Sequence, residues 1–249
     1  MGSIWYNYWN PPYTSDLPNY FNEQNYGWAA YLKDDFNQLK KDLLKIVNER
    51  NGQLNGYFSE DVSNDASKWH TLAFKTWGIE VKANLRKSET IQSLLAKYPE
   101  IVSCSVNILN PGAEIKEHQG DTDGIVRVHF GIEIPEGDLA FCVNDESKKW
   151  QEGEFIIFLD ANRHKAWNNT GSRRVIFLFD VIREEYKSHR RRICINVRSF
   201  LLLQYTVSIF KWFKKWPKWI HKMIFFKWKL FLWSVYPIQK LTGTIIKHT

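Results

Sequence analysis

The stretch Asn110-Pro111-Gly112-Ala113-Glu114-Ile115-Lys116-Glu117-His118-Gln119-Gly120, followed closely by Arg127-Val128-His129-Phe130-Gly131-Ile132, decides the fold. A Pro-Gly turn opens it, a short alternating segment ends at His118, and the next run is β-branched and aromatic. Neighbouring runs have the same character: Ile101–Leu109, Ile125–Ile134, Leu139–Val143, Phe155–Leu159 and Arg174–Ile182. Between them lie Asn110-Pro111-Gly112, Pro135-Glu136-Gly137, Glu152-Gly153 and Asn169-Thr170-Gly171. Short strands separated by turn signals, with no helical period between them, predict an antiparallel sandwich or small barrel.

Five positively charged or imidazole positions share this β-region. His118 closes its strand, and Arg127 and His129 are spaced by two, so both side chains point to one face of the next strand. His164 opens another strand 46 residues after His118, and Arg174 lies ten residues further, across the Asn-Thr-Gly turn. A lone strand His is ordinarily packed and a lone Arg solvated. A barrel that gathers two imidazoles and two guanidiniums at one mouth points instead to a metal site with carboxylate grips.

Upstream, Ala30, Leu32, Phe36, Leu39, Leu43 and Ile46 recur at helical spacing, predicting one amphipathic helix over about 27–47. A shorter helix is expected from Ser88 to Tyr98, opened by a capping box of Ser88 with Gln92 one place out of register. Trp69 to Phe74 reads as a strand, 51–64 as a polar loop, and 1–23 as an extended aromatic segment laid on the domain.

The charge is split along the chain. From Tyr186 onward there are 14 Lys or Arg and no acid, while residues 1–185 hold 20 basic against 27 acidic residues. The body is therefore near −7 and the tail +14, so the overall pI describes only the tail. An acidic body beside the candidate site argues against nucleic acid. The tail mixes lysines with five tryptophans: Trp212, Trp216, Trp219, Trp228 and Trp233. Lys211, Lys214, Lys215, Lys218 and Lys222 fall on one side of a single ideal helix, which Pro217 should kink or split. This is an interfacial membrane composition, with Trp212, Lys214, Lys215, Trp216 and Trp219 at its centre. No uncharged apolar run reaches spanning length. Three scattered cysteines and an N-terminus without a signal-peptide pattern fit a cytoplasmic protein, peripheral on the cytoplasmic face of a membrane.

From Trp69 to Asp180 the chain resembles the aspartyl/asparaginyl β-hydroxylase family. The resemblance rests on the two stretches quoted first, on Trp150-Gln151-Glu152-Gly153-Glu154-Phe155-Ile156-Ile157-Phe158, on the segment from His164 through Trp167 to Arg174, and on the ordered His and Arg spacings. It implies a double-stranded β-helix of jelly-roll or cupin type, flanked here by N-terminal helices and a basic aromatic helical tail. It implies Fe(II) and 2-oxoglutarate as cofactor and co-substrate, with O2 as oxidant. His118 and His164 match the iron-binding histidines, Arg174 the grip on the distal carboxylate of 2-oxoglutarate, and Arg127 and His129 residues near the co-substrate and substrate. Asn107 stands where the family has a serine that helps hold the same carboxylate. Gly120 occupies the position of the third ligand of related enzymes, a vacancy normal in this family, and Asp121 reads as a loop carboxylate.

Three domains follow: 1–23 extended, 24–185 catalytic and 186–249 a basic aromatic tail. The expected activity is hydroxylation of an unactivated C–H bond in a membrane lipid acyl chain. Alternatives are Asp/Asn hydroxylation in a peptide, a non-catalytic cupin-like module, and halogenation with chloride at the position Gly120 leaves open.

Overall fold

A computed structural model describes residues 3–8, 10–50, 54 and 62–243. Most of the polar loop read at 51–64 lies outside them. Among the described residues ten strands form two sheets: β1 Trp69–Thr76, β2 Ile79–Glu80, β3 Ile101–Leu109, β4 Ala113–His118, β5 Ile125–Glu133, β6 Leu139–Val143, β7 Glu146–Lys148, β8 Phe155–Leu159, β9 His164–Asn168 and β10 Arg174–Ile182. The larger sheet runs β2-β1-β3-β10-β5-β8 and the smaller β4-β9-β6-β7, with antiparallel neighbours throughout. Successive strands alternate between sheets across the middle of the chain, which is the double-stranded β-helix.

The larger sheet is covered on both faces, so β3, β5 and β10 are nearly continuous apolar runs. On its outer face lie two helices, α1 (Gly27–Asp34) and α2 (Phe36–Glu49). Trp28, Leu32, Leu39 and Leu43 from them pack with Val106, Val128, Phe130, Phe177 and Phe179 of the sheet. The single helix expected over 27–47 is thus two, broken at Asp35 (φ −94°, ψ 11°). Aspartate is a weak helix former, so a break there costs little, and the Asp35 side chain makes no capping hydrogen bond to the new helix. After the short helix α3 (Lys82–Leu85), α4 (Glu89–Lys97) begins at Ser88, whose hydroxyl accepts from Ile91 N. Gln92 does not complete the box: its amide donates to the Ser88 carbonyl, one turn back along the helix.

The inner face of the sheet meets the smaller sheet around Trp69, Ile115, Phe141, Trp150, Phe158 and Ile176, and the candidate residues converge in this second core. The β1–β2 turn needs positive φ at Trp77 (42°) and Gly78 (86°), the geometry that matches strand twist in a two-residue hairpin.

The C-terminal region is a helical hairpin, α5 (Arg190–Ile209) and α6 (Lys218–Thr242). They are joined by a 3-10 turn at Lys211–Lys215 and by extended backbone at Trp216 and Pro217. The lysine stripe predicted for one continuous helix is therefore divided, because Pro217 cannot continue the turn before it and instead caps α6. Ile193, Cys194 and Val197 of α5 are buried against Trp77, Val102, Ile125 and Ile182, so the hairpin is rooted in the body. Phe225 and Leu232 of α6 face α5. The opposite side of α6 carries Trp219, Met223, Phe226, Leu230, Trp233, Ile238 and Leu241, all exposed and spaced by three to five residues. No helix among the described residues is long and apolar enough to cross a membrane. The N-terminal segment is a strap: Tyr6 bridges to Thr122 and Tyr20 to Phe158.

Candidate active site

His118 and His164 are direct cross-strand partners on β4 and β9, and their ring centroids lie 4.3 Å apart. Each Nδ1 is held by a backbone carbonyl two residues earlier, His118 by Lys116 O (2.8 Å) and His164 by Asn162 O (2.9 Å). A carbonyl can only accept, so both Nδ1 carry the proton and both Nε2 keep a lone pair. Burial depresses the pKa of both rings, His164 well below the usual histidine range. Two neutral, pre-oriented imidazoles with free Nε2 lone pairs fit a divalent first-row metal. No third His, Cys, Asp or Glu completes a cluster among the described residues.

His129, two places from Arg127 on β5, has the opposite tautomer. Trp150 Nε1 donates to its Nδ1 (3.3 Å), which leaves the proton on Nε2 as a donor. Burial, then the Arg174 and Arg127 charges, hold it neutral.

The two arginines differ. Arg174, at the start of β10, is 2% exposed, and its guanidinium carbon lies 4.7 Å from the centre of the Trp150 ring. No carboxylate pairs with it among the described residues, and its Nε has no hydrogen-bond partner. Burial alone pulls its pKa down to about 9. A buried cation without a counter-ion costs several kcal/mol, which an anionic ligand would recover. Arg127, expected from the resemblance as a co-substrate contact, is already engaged. It forms a fork with its cross-strand partner Asp180 (Nε 2.7 Å, Nη2 3.1 Å), and its Nη1 lies 2.6 Å from Asp160 Oδ1.

Asn107 lies on β3 in the same cavity wall. Its carbonyl oxygen accepts from Trp69 Nε1 (3.1 Å) and its amide donates to Ser105 Oγ (2.8 Å), which fixes the amide and leaves a second N–H. The cavity brings together His118, Arg127, His129, His164, Arg174 and Asn107, closed by Ile115, Phe141, Ala166 and Leu178. Every candidate of the barrel is therefore in one place. The tail candidates Trp212, Lys214, Lys215, Trp216 and Trp219 are elsewhere, on the hairpin surface.

Asp160, Asp180 and Trp150 were not singled out as site residues in the sequence. Asp160, fully buried four residues before His164, also accepts from Asp121 N (3.1 Å). It fills the space beside Gly120, where an added Cβ would stand 1.9 Å from Asp160 Oδ2. Asp121, at the mouth, has its carboxyl raised to about 7, mainly by burial and then by Asp160. The mouth is lined by His118, Gly120, Asp121 and Arg127 on the barrel side and by Leu201 and Gln204 of α5 on the other.

Among curated proteins, an ornithine lipid ester-linked acyl 2-hydroxylase of Rhizobium tropici is 28% identical over 174 residues, 67% of this chain and 61% of that one. The human aspartyl/asparaginyl beta-hydroxylase is 38% identical over 106 residues, 40% of this chain and 14% of its own length. The chain thus spans less than two thirds of either relative. Among solved structures, the cupin domain of an XRE family transcriptional regulator from Enterobacter cloacae aligns over 47% of this chain and 99% of that one, at 14% identity and a TM-score of 0.33. The family profile described as aspartyl/asparaginyl beta-hydroxylase matches residues 33–184. That match takes in every strand of both sheets, and the chain belongs to the aspartyl/asparaginyl β-hydroxylase family.

Proposed function

We propose that this protein is an Fe(II)- and 2-oxoglutarate-dependent oxygenase that hydroxylates an unactivated C–H bond in the acyl chain of a membrane lipid. The observation that carries the reading is Arg174: a buried guanidinium with no carboxylate, in the same cavity as two metal-ready imidazoles. That combination suits an acid bound by the metal at one end and by Arg174 at the other.

In this reading His118 and His164 hold Fe(II) through Nε2, and Arg174 receives the distal carboxylate of 2-oxoglutarate. Bound iron and 2-oxoglutarate, with O2, supply the oxidising power for the hydroxylation, with succinate and CO2 as co-products. The protein's own residues set the geometry. His129 offers its Nε2–H and Asn107 its second amide N–H to acceptor oxygens in the cavity. Asp160 and Asp180 hold Arg127 rigid at the mouth, while Ile115, Phe141, Ala166 and Ile176 keep the interior poor in water.

The lipid half of the proposal rests on where the mouth lies. Its far wall is Leu201 and Gln204 of α5, so the opening adjoins the helical hairpin. Trp212, Trp216 and Trp219 are 58%, 42% and 61% exposed and lie beside Lys214 and Lys215. Such a surface suits the headgroup level of an anionic membrane, where each lysine contributes about 1 kcal/mol. The placement is peripheral, on a cytoplasmic face. The R. tropici relative, named for hydroxylating a lipid acyl chain, aligns over more of this chain than the human enzyme does.

The test is succinate formation by the purified protein with Fe(II) and 2-oxoglutarate, offered either vesicles containing ornithine lipid or Asp/Asn-bearing peptides. Lipidomics of cells with and without the protein runs alongside. The expected result is lipid-stimulated turnover and an added oxygen on an acyl chain. Stimulation by peptide alone would transfer the activity to peptide hydroxylation, and a protein that retains no iron and turns over no 2-oxoglutarate would be a binding module.

A further inference from the structure

A second cationic cavity lies at the other end of β1 from the candidate active site. It has a volume of about 250 Å³ between the β1–β2 hairpin and the helices α5 and α6, and its walls include Lys75, Arg190, Tyr236 and Lys240, with Glu80 the one acid among the described residues that line it. Trp69 of β1 lines the first cavity and Lys75 the second, so six residues of strand, roughly 20 Å, separate them. Lys75 is 8% exposed and forms no ion pair among the described residues. Burial lowers its pKa, which Glu80 partly counters and Arg190 reinforces.

The cations converge on Cys194. Its thiol feels Arg190, Lys75 and Arg198 together, yet burial pushes it up to about 12, so it stays neutral and cannot serve as their counter-ion. Arg198, one turn further along α5, is 1% exposed, and its Nη2 donates to Gln239 (2.8 Å). Its Nη1 has no hydrogen-bond partner among the described residues. Gly78 keeps the opposite wall thin: a Cβ there would stand 2.8 Å from the Tyr236 hydroxyl and 3.5 Å from Cys194 Sγ. The result is three cations around one hollow, a fourth buried behind it, and a single carboxylate. Lys75 and Arg198 are buried, Arg190 is half-buried with its Nη1 donating to Pro99 O (2.7 Å), and Lys240 is exposed. Buried charges of one sign are expensive unless a partner arrives, and among the described residues that line the hollow only Glu80 is an acid.

We infer that this cavity binds a phosphate group, with Lys75, Arg190 and Lys240 as the charged contacts and the Tyr236 hydroxyl as a neutral donor. Free phosphate and the headgroup of a lipid present the same chemistry. The headgroup is a natural source because Lys240 lies on α6 next to Leu241, the last residue of the exposed apolar stripe. The inference stands apart from the oxygenase reading, since its readout requires neither iron nor turnover.

The experiment titrates the full chain with inorganic phosphate by calorimetry and follows Tm, with sodium chloride at equal ionic strength as the control. A parallel arm measures binding to phosphatidylcholine vesicles carrying phosphatidic acid, against vesicles of equal charge carrying phosphatidylserine. Saturable phosphate binding that Lys75→Met weakens at least ten-fold is expected, together with a higher Tm of the phosphate-free variant, because a buried unpaired charge is gone. If Lys75→Met does not fold, Arg190→Gln and Lys240→Gln at the rim give the same reading of affinity. A Lys75-dependent preference for phosphatidic acid without binding of inorganic phosphate identifies the lipid headgroup as the ligand. Responses to both probes that are the same in wild type and in all three variants overturn the site.

Discussion

The barrel and the hairpin handle similar side chains in opposite ways. In the barrel Phe141 and Trp150 are at most 4% exposed and wall a cavity. On α6 Trp219, Phe226 and Leu230 are about 60% exposed. Inside the barrel the unanswered chemistry is a charge, Arg174, surrounded by apolar groups. On the hairpin it is an apolar stripe on a segment whose formal charges are all positive. In the proposed reading each region takes a partner from outside the chain, and the kind of partner differs: a small dianion for one, a broad water–hydrocarbon boundary for the other.

The largest test of that contrast is at the metal. His118→Ala and His164→Ala should reduce Fe(II)-dependent succinate formation to background while leaving vesicle binding intact. Wild-type turnover in either variant at saturating iron would remove the metal assignment.

The two arginines sharpen the comparison within the barrel. Arg127→Ala leaves Asp160 and Asp180 buried without their cation, so denaturant unfolding should show a loss of about 3–5 kcal/mol. Arg174→Met should do the reverse to the co-substrate-free protein and raise its Tm. It should also weaken 2-oxoglutarate by roughly 2–5 kcal/mol, or about 30-fold to several thousand-fold. An unchanged dependence on 2-oxoglutarate would place the grip on another residue.

On the hairpin, Leu230→Ser should weaken partitioning onto anionic vesicles roughly ten-fold, since burying one large apolar side chain contributes about 1.5 kcal/mol. Its circular dichroism should not change. Salt should weaken wild-type partitioning only in part, because screening acts on the lysines and not on the stripe. Surface substitutions suit this test better than truncation, because Phe200, Leu202 and Leu203 of α5 are core residues.

The smallest effect is in pH. His129 and His164 have folded pKa values well below the ordinary value, so the unfolded chain binds protons that the folded one refuses. Their contribution is complete above about pH 6.5 and declines below it, by about 1 kcal/mol per histidine between pH 6.5 and 5.5. Thermal melts of wild type and His129→Gln without metal would show it: the variant should lose less stability over that interval, and parallel curves would contradict the assigned protonation.

Much of this was legible in residue order. Four of the five β-runs coincide with strands to the residue, because turn chemistry at Asn110-Pro111-Gly112 and Asn169-Thr170-Gly171 limits them sharply. β2 and β7 were not, since two or three residues carry no period. The convergence of His118, His164 and Arg174 followed from spacing and resemblance. The engagement of Arg127 did not, because its partner Asp180 is 53 residues away and is brought opposite by the β5–β10 register. The tail's composition pointed to an interface, but its angular arrangement depended on a break that helical-wheel reasoning across Pro217 could not accommodate.

The contact between Gly120 and Asp160 has a bearing on ancestry and engineering. Any side chain at position 120 would collide with a carboxylate that also braces Arg127 and the Asp121 amide. In the proposed reading, a single change to Asp or Glu at 120 would bring a third ligand, a carboxylate, to the metal only by displacing Asp160. The change would first have to remove Asp160, and with it one of the two anions that hold Arg127. If His118 and His164 hold the metal as proposed, moving from two histidines to a three-ligand set would take at least two coordinated substitutions, at 120 and at 160.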